Sequence, residues 1–296
     1  MMQLRRVPVL KQLGVLALLL FVVLGYALIP QKDESKSVAV EVRPKDNATV
    51  DKIFLDKDSL EAQSAFVYDL THQRVLFEKS PDTVRPLASL TKLMTLLLVY
   101  ELGDTREIIG EYQVEELADL TLLSSSNQGA RLLASSIGSN LTQNNAHQDA
   151  FVTAMNLRAE ELGLNSFLFY NATGLDLDEN EAGAYGSARD VAFLLGYIIT
   201  KIPEVTERSR EESFVFNDPE GNSYEVFSTN QNLSDLPGVI ASKTGFTDLA
   251  GGNLAVAVDI GVGHPIIIVV LGSSLEGRFQ DVKLLNDELL AQYASS

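Results

Sequence analysis

Between Pro86 and Tyr100 the sequence PLASLTKLMTLLLVY carries a single charge, Lys92, among Leu87, Leu90, Leu93, Met94, Leu96, Leu97 and Leu98. A stretch apolar on every side predicts a helix buried in a core rather than one lying on a surface. Ser89 and Lys92, three residues apart, share a face of such a helix and project side by side from its wall. A lysine there either runs its stem back to water beside an N-capping serine or does something inside.

The remainder of the chain supplies enough material to enclose that helix. At 296 residues and 46% hydrophobic content it can form one large domain or two small ones. Residues Leu13 to Ile29 form an uncharged apolar run preceded by Arg5, Arg6 and Lys11. This predicts a single N-terminal transmembrane helix with its start in the cytoplasm and everything after it exported. Gly25-Tyr26-Ala27 has the small-x-small spacing of a signal-peptidase site, so the segment reads as either a retained anchor or a cleaved leader.

All 40 acidic residues follow residue 30 and the net charge is −17, which argues against nucleic acid or an anionic phosphate as partner. With no cysteine there is no disulfide framework, thiolate nucleophile or cysteine metal site. The three histidines, His72, His147 and His264, are scattered in sequence and read as surface or loop residues rather than a metal cluster.

Three regions are expected: residues 1–30 as cytoplasmic stub and anchor or signal peptide, 31–60 as a polar linker, and 61–296 as the compact domain. Ala65–Tyr68 and Val75–Phe77 read as strands joined by a turn over Asp69–Arg74. Helical patterns follow over Ser89–Glu101, Val114–Leu123, Ser126–Ile137, Gln148–Leu162 and Ser187–Lys201. On the fourth, Phe151, Met155, Leu157 and Leu162 are expected on the apolar side, with Glu160 and Glu161 in solvent. Strand-like segments then cover Ser213–Asn217, Tyr224–Ser228, Val239–Thr244, Asn253–Asp259 and Pro265–Leu271, with a hairpin turn over Asp218–Asn222. A helix over Phe279–Tyr293 closes the chain. Strands at both ends enclosing a block of helices predict an α+β domain whose antiparallel sheet joins early and late strands, with helices packed on both faces.

Ser89-Leu90-Thr91-Lys92 is the one Ser-x-x-Lys in the sequence, and Ser125-Ser126-Asn127 and Lys243-Thr244-Gly245 follow it in order. That order is the one found in serine penicillin-binding proteins and serine β-lactamases. The second motif falls at a junction of two helical patterns and the third on a strand leading into a turn. Ser228-Thr229-Asn230 repeats the Ser-x-Asn spelling but precedes the Lys243 strand instead of lying between helices. Glu161-Leu162-Gly163-Leu164-Asn165 spells the deacylating motif of class A β-lactamases, yet it reads as the end of an amphipathic helix.

From about residue 62 to 272 the chain resembles the D-alanyl-D-alanine carboxypeptidases, the low-molecular-mass penicillin-binding proteins of cell-wall metabolism. Ala154–Asp176 (AMNLRAEELGLNSFLFYNATGLD), Gly186–Asp190 (GSARD) and Lys243–Leu254 (KTGFTDLAGGNL) extend the likeness beyond the three motifs. It departs in a short interval between Ser89 and Ser125, in Gln128 where the family often has an acid, and in Asn171–Gly174, which lacks a Pro-His filling. These departures bear on the cleft rim. The extra C-terminal β domain of several relatives is not expected, and the N-terminal helix would take over membrane attachment.

A serine hydroxyl needs a base within reach, and desolvation in an apolar wall lowers a lysine pKa. Ser89 is therefore assigned as nucleophile and Lys92 as base in acylation, an assignment that is disputed among these enzymes. Ser125 would relay the proton to the leaving D-alanine nitrogen, and Asn127 would orient Lys92 and hold the substrate backbone. Lys243 is expected to be a fixed cation for the terminal carboxylate, with Thr244 offering its hydroxyl and Gly245 clearing room for a peptide along the strand. The resemblance places an oxyanion hole at the N–H groups of Ser89 and Phe246.

The expected reaction is removal of the terminal D-alanine from peptidoglycan stem peptides through an acyl-enzyme, with covalent capture by β-lactams and no cofactor or metal. A serine β-lactamase and a non-catalytic wall-binding scaffold of the same fold are the rival readings. The scaffold would tolerate loss of Lys92 or Lys243, and both are present. A Ser-His-Asp hydrolase lacks any Gly-x-Ser-x-Gly elbow.

Overall fold

Strands from the two ends of the domain meet in one antiparallel sheet. β1 (Ser64–Asp69), β2 (Arg74–Lys79), β3 (Val239–Thr247), β4 (Gly251–Asp259) and β5 (Pro265–Ser273) lie in the order β3-β4-β5-β1-β2. The early and late strands join where β1 pairs with β5, Ser64 opposite Leu271 and Asp69 opposite Ile266. The computed structural model describes residues 52–217 and 221–294. The expected membrane segment, residues 31–51 of the linker and residues 218–220 of the hairpin turn lie outside the described residues. Among those described, no helix is long and apolar enough to cross a membrane.

β1 is buried along its whole length and β4 and β5 nearly so, because both faces of the sheet are covered. Phe66, Tyr68, Ala255, Ala257, Ile267 and Val269 point into a core shared with most of the helices. The alternate residues Val67, Leu254, Val256, Ile268 and Val270 pack on the other side against Phe279, Val282, Leu285 and Leu289. The helices are α1 (Lys92–Leu102), α2 (Val114–Leu123), α3 (Asn127–Leu141), α4 (His147–Glu161), α5 (Ala188–Lys201) and α6 (Gly277–Ala294). α5 belongs to the first core and α6 to the second, which gives the sheet a helix on each face.

α1 is the central element, and every residue from Lys92 to Val99 is buried. It starts later than its apolar pattern, because Ala88–Thr91 forms a 3₁₀ turn ahead of it. In that tighter winding residues three apart eclipse one another, so Ser89 stands directly over Lys92.

Three local expectations are corrected. Leu157 is 55% exposed; α4 buries Phe151, Met155 and Ala159, a four-residue step that turns residue 157 toward solvent. The first turn is shorter than Asp69–Arg74, since both of those residues belong to strands. His72 and His264 are not scattered, because the β1–β5 pairing brings their two turns together with ring centroids 4.8 Å apart.

Truncating α1 inside this core leaves a cavity that neighbours on all sides cannot fill. Leu96→Ala is expected to lower unfolding stability by about 3 kcal/mol in urea titration; a loss under about 1 kcal/mol would mean that α1 is not the packed centre.

Candidate active site

The serine of the Ser-x-x-Lys motif is presented by a backbone turn held from three directions. Ala88, just before Ser89, has a left-handed φ of 47°, and its carbonyl accepts from Thr91 Oγ1 at 2.7 Å. The β4–β5 register shifts between Gly252 and Leu254, a bulge that aims the buried Asn253 at the turn. Asn253 Nδ2 donates to the carbonyls of Pro86 and Leu87, both at 3.0 Å, while its Oδ1 accepts from Gly272 N at 2.9 Å. On the third side lies β3. A Cβ on Gly245 would sit 2.9 Å from Leu87 O and 3.1 Å from Ser89 N. Glycine is thus required at 245 by the approach of the strand to the turn that carries Ser89. Ser89 is half-buried between the buried Ala88 and Leu90.

Lys92 does not reach back to water. Its side chain is fully buried, and Nζ lies 2.7 Å from Ser89 Oγ, 2.8 Å from Asn127 Oδ1 and 2.8 Å from Thr173 O. Asn127 Oδ1 and Thr173 O can only accept. A neutral amine gives its two hydrogens to those oxygens, which leaves its lone pair directed at the one partner able to donate, the Ser89 hydroxyl. Thr173 O is presented by a loop wound around Asn171, whose Oδ1 accepts from Thr173 N, Thr173 Oγ1 and Gly174 N at 2.7–3.0 Å. At Gly174, with φ of 77°, a Cβ would lie 1.8 Å from Ala88 O, so this loop packs directly on the turn that carries Ser89.

The second serine faces the late strand. Ser126, not Ser125 or Asn127, caps α3, accepting from Gly129 N at 3.0 Å. That leaves Asn127 for Lys92 and turns Ser125 inward from a left-handed φ of 60°. Lys243 Nζ donates to Ser125 Oγ at 3.0 Å and to Thr244 O at 2.9 Å, and Lys243 is itself buried. Thr244 Oγ1 pairs with Thr229 Oγ1 at 2.6 Å.

Ser89, Lys92, Ser125, Asn127, Lys243, Thr244 and Gly245 are therefore linked by direct contacts, with Phe246 next on β3 and 44% exposed. Glu161 stands apart, paired with Arg158 at 2.9 Å and largely exposed. The motifs did not identify Asn253, the Asn171–Thr173 loop, Thr229 or Arg278, whose Nη1 donates to Gly245 O at 2.8 Å. The Ser228-Thr229-Asn230 segment set aside in the sequence does touch the site, through Thr229 on Thr244 and through Asn230 Nδ2 on Ser242 Oγ at 3.1 Å.

The family model described as D-alanyl-D-alanine carboxypeptidase matches residues 51–110 and 104–274. The chain belongs to this family. It is 30% identical over 238 residues to the D-alanyl-D-alanine endopeptidase of Escherichia coli (strain K12), covering 70% of each chain. It is 27% identical over 257 residues to the D-alanyl-D-alanine carboxypeptidase DacF of Bacillus subtilis (strain 168), covering 79% of this chain and 63% of that relative. Among solved structures it is similar to penicillin-binding protein D2 of Listeria monocytogenes in its ampicillin-bound form, with a TM-score of 0.64 and 29% identity over 77% of this chain and 97% of that one. The chain thus has the mixed α/β fold of penicillin-binding proteins in this carboxypeptidase family.

The buried lysines set the site's electrostatics. Burial, then the charge of Arg131, brings Lys92 down to about 7. Burial, then the charges of Lys92 and Arg278, also pulls Lys243 well below its ordinary value.

Asn253 tests the scaffold without touching the reacting groups. Asn253→Ala leaves the Pro86 and Leu87 carbonyls without this donor and is expected to cost about 2 kcal/mol in thermal unfolding; unchanged stability would show that the turn holds itself.

Proposed function

We propose that the chain is a serine-type D-alanyl-D-alanine carboxypeptidase acting on peptidoglycan stem peptides, with Ser89 as nucleophile and Lys92 as base. The observation that carries this reading is the pair of acceptor-only partners on Lys92, which direct the neutral amine's lone pair at Ser89 Oγ.

In acylation Ser89 Oγ bonds to the carbonyl carbon of the penultimate D-alanine while its proton passes to Lys92. The N–H groups of Ser89 and Phe246 receive the oxyanion, each such donor being worth about 3 kcal/mol of barrier. The closeness of Gly245 to Ser89 N supports a shared position for these two groups. The C–N bond then breaks, and the departing amine takes a proton through Ser125, which lies on Lys243. Water cleaves the resulting ester. The substrate's terminal carboxylate fits beside Lys243 and Thr244, where its charge favours the ammonium form of Lys243; that charge in turn keeps Lys92 neutral. Asn127 holds Lys92 and is placed to meet the substrate backbone.

A β-lactam offers an amide carbonyl and a carboxylate in a similar relation, so it is expected to acylate Ser89. The uncharged run at residues 13–29, led by Arg5, Arg6 and Lys11, supports a membrane-tethered domain outside the cytoplasm.

Incubation with a fluorescent penicillin is expected to label the native chain and not Ser89→Ala; labelling of that variant, or none of the native protein, would defeat the assignment. Mass spectrometry on a stem pentapeptide should show loss of one alanine. Release from a cross-linked dimer, with the pentapeptide untouched, would indicate an endopeptidase instead.

The pH dependence follows from Lys92. Because the base must be unprotonated, the acylation rate constant is expected to rise about tenfold per pH unit below about 7 and level off above it. A rate independent of pH between 5 and 8 would remove Lys92 from that role.

A further inference from the structure

A second group of titratable side chains converges outside the catalytic cluster. Asp69 ends β1 with its carboxylate fully buried, His72 lies in the turn that follows, and His264 in the turn that leads into β5. Each imidazole is anchored through its own backbone: His72 N donates to Asp69 Oδ1 at 2.9 Å and His264 N to Asp259 Oδ1 at 2.8 Å. His72 Nδ1 lies 2.8 Å from Asp69 Oδ2 and His264 Nε2 3.0 Å from Asp69 Oδ1. One ligand atom from each of the three residues falls within 4.8 Å of the others. Burial raises the Asp69 pKa, but hydrogen bonds from His72, His264 and Arg74 outweigh it and bring the carboxyl down to about 2.

We propose that Asp69, His72 and His264 form a binding site for a divalent transition metal of the zinc class, with Asp69 Oδ1, His72 Nδ1 and His264 Nε2 as ligands and water completing the shell. Two imidazoles and a carboxylate are a donor set suited to such ions. Tetrahedral bonds of about 2.0–2.1 Å separate neighbouring ligand atoms by about 3.3 Å; Asp69 Oδ1 and His264 Nε2 already lie 3.0 Å apart, and His72 Nδ1 lies 2.8 Å from the other oxygen of the same carboxylate, Oδ2.

Arg74 Nε and Tyr293 OH lie 2.8 and 3.3 Å from Asp69 Oδ2 and fix the carboxylate's orientation, while Oδ1, which accepts from His72 N, keeps a second lone pair facing His264 Nε2. The guanidinium opposes a cation, while Asp259 beneath the His264 turn and the net charge of −17 favour one. His72 is 53% exposed and gives the ion a way in. Six residues of β4 separate the level of Asn253 from that of Asp259, so the site lies about 20 Å along the sheet from the nucleophile turn. Its role is structural: it pins the two turns to each other and, through Tyr293, to the end of α6.

The test uses the full chain freed of metal by chelation, with zinc ion as titrant in calorimetry and His72→Gln/His264→Gln beside it. Glutamine can still donate to Asp69, so the variant is expected to fold, as checked by thermal unfolding without metal. One equivalent of zinc should bind the native chain, raise its unfolding temperature, and bind the double variant roughly 100-fold more weakly, with His147→Gln unchanged. Cobalt substitution should give the intense visible absorption of a tetrahedral site. No zinc binding by the native chain, or equal binding by the double variant, would leave only a hydrogen-bonded staple and overturn the proposal.

Discussion

The contact on which the structure turns is that of the Lys92 amine with Ser89 Oγ, Asn127 Oδ1 and Thr173 O in a fully buried position. A buried ammonium is costly, and that cost makes the neutral form available near pH 7. Each partner comes from a different element: the 3₁₀ turn before α1, the start of α3, and the loop after α4. Helices and sheet together bring three distant stretches of chain to one nitrogen atom.

Local strain and close backbone approach support that convergence. Ala88 and Ser125 hold left-handed conformations without being glycine, each costing on the order of 1–3 kcal/mol, and both flank the cluster. The surroundings over-determine them. Thr91 and Asn253 lock the turn at Ala88, and Gly174 and Gly245 let two other backbones press against it. Ser125 is held by Lys243. The bulge at Asn253 shows how the sheet contributes: a shift in register aims one amide at the turn carrying the nucleophile.

Much of this was readable before any coordinates. Three short motifs in order pointed to side chains that meet around Lys92 and Lys243, and period and texture predicted a sheet joining the chain's two ends. What escaped were relations set by tertiary packing. Gly245 reads the same in sequence whether it makes room for a ligand or for Ser89 N. Thr229 reads as an ordinary loop residue in sequence, and only the hydrogen bond of its backbone to Leu123 O at the end of α2 sets it beside Thr244. The downward shift of the Lys243 pKa comes from burial and then from Lys92 and Arg278, a setting no linear pattern records. His72 and His264 looked unrelated until the β1–β5 register placed their turns side by side. Leu157 reads as part of the apolar side in sequence, but α4 steps by four, from Phe151 to Met155 to Ala159, and turns it to solvent.

The central claim is that the amine facing Ser89 titrates near neutral pH, so that its uncharged form is available as a base. It is tested most directly by NMR titration of selectively labelled lysine side chains, with Lys92→Arg used to assign the resonance. The account predicts one lysine titrating near 7 and missing from that variant. A Lys92 resonance that stays charged up to the ordinary lysine range near 10 would contradict it.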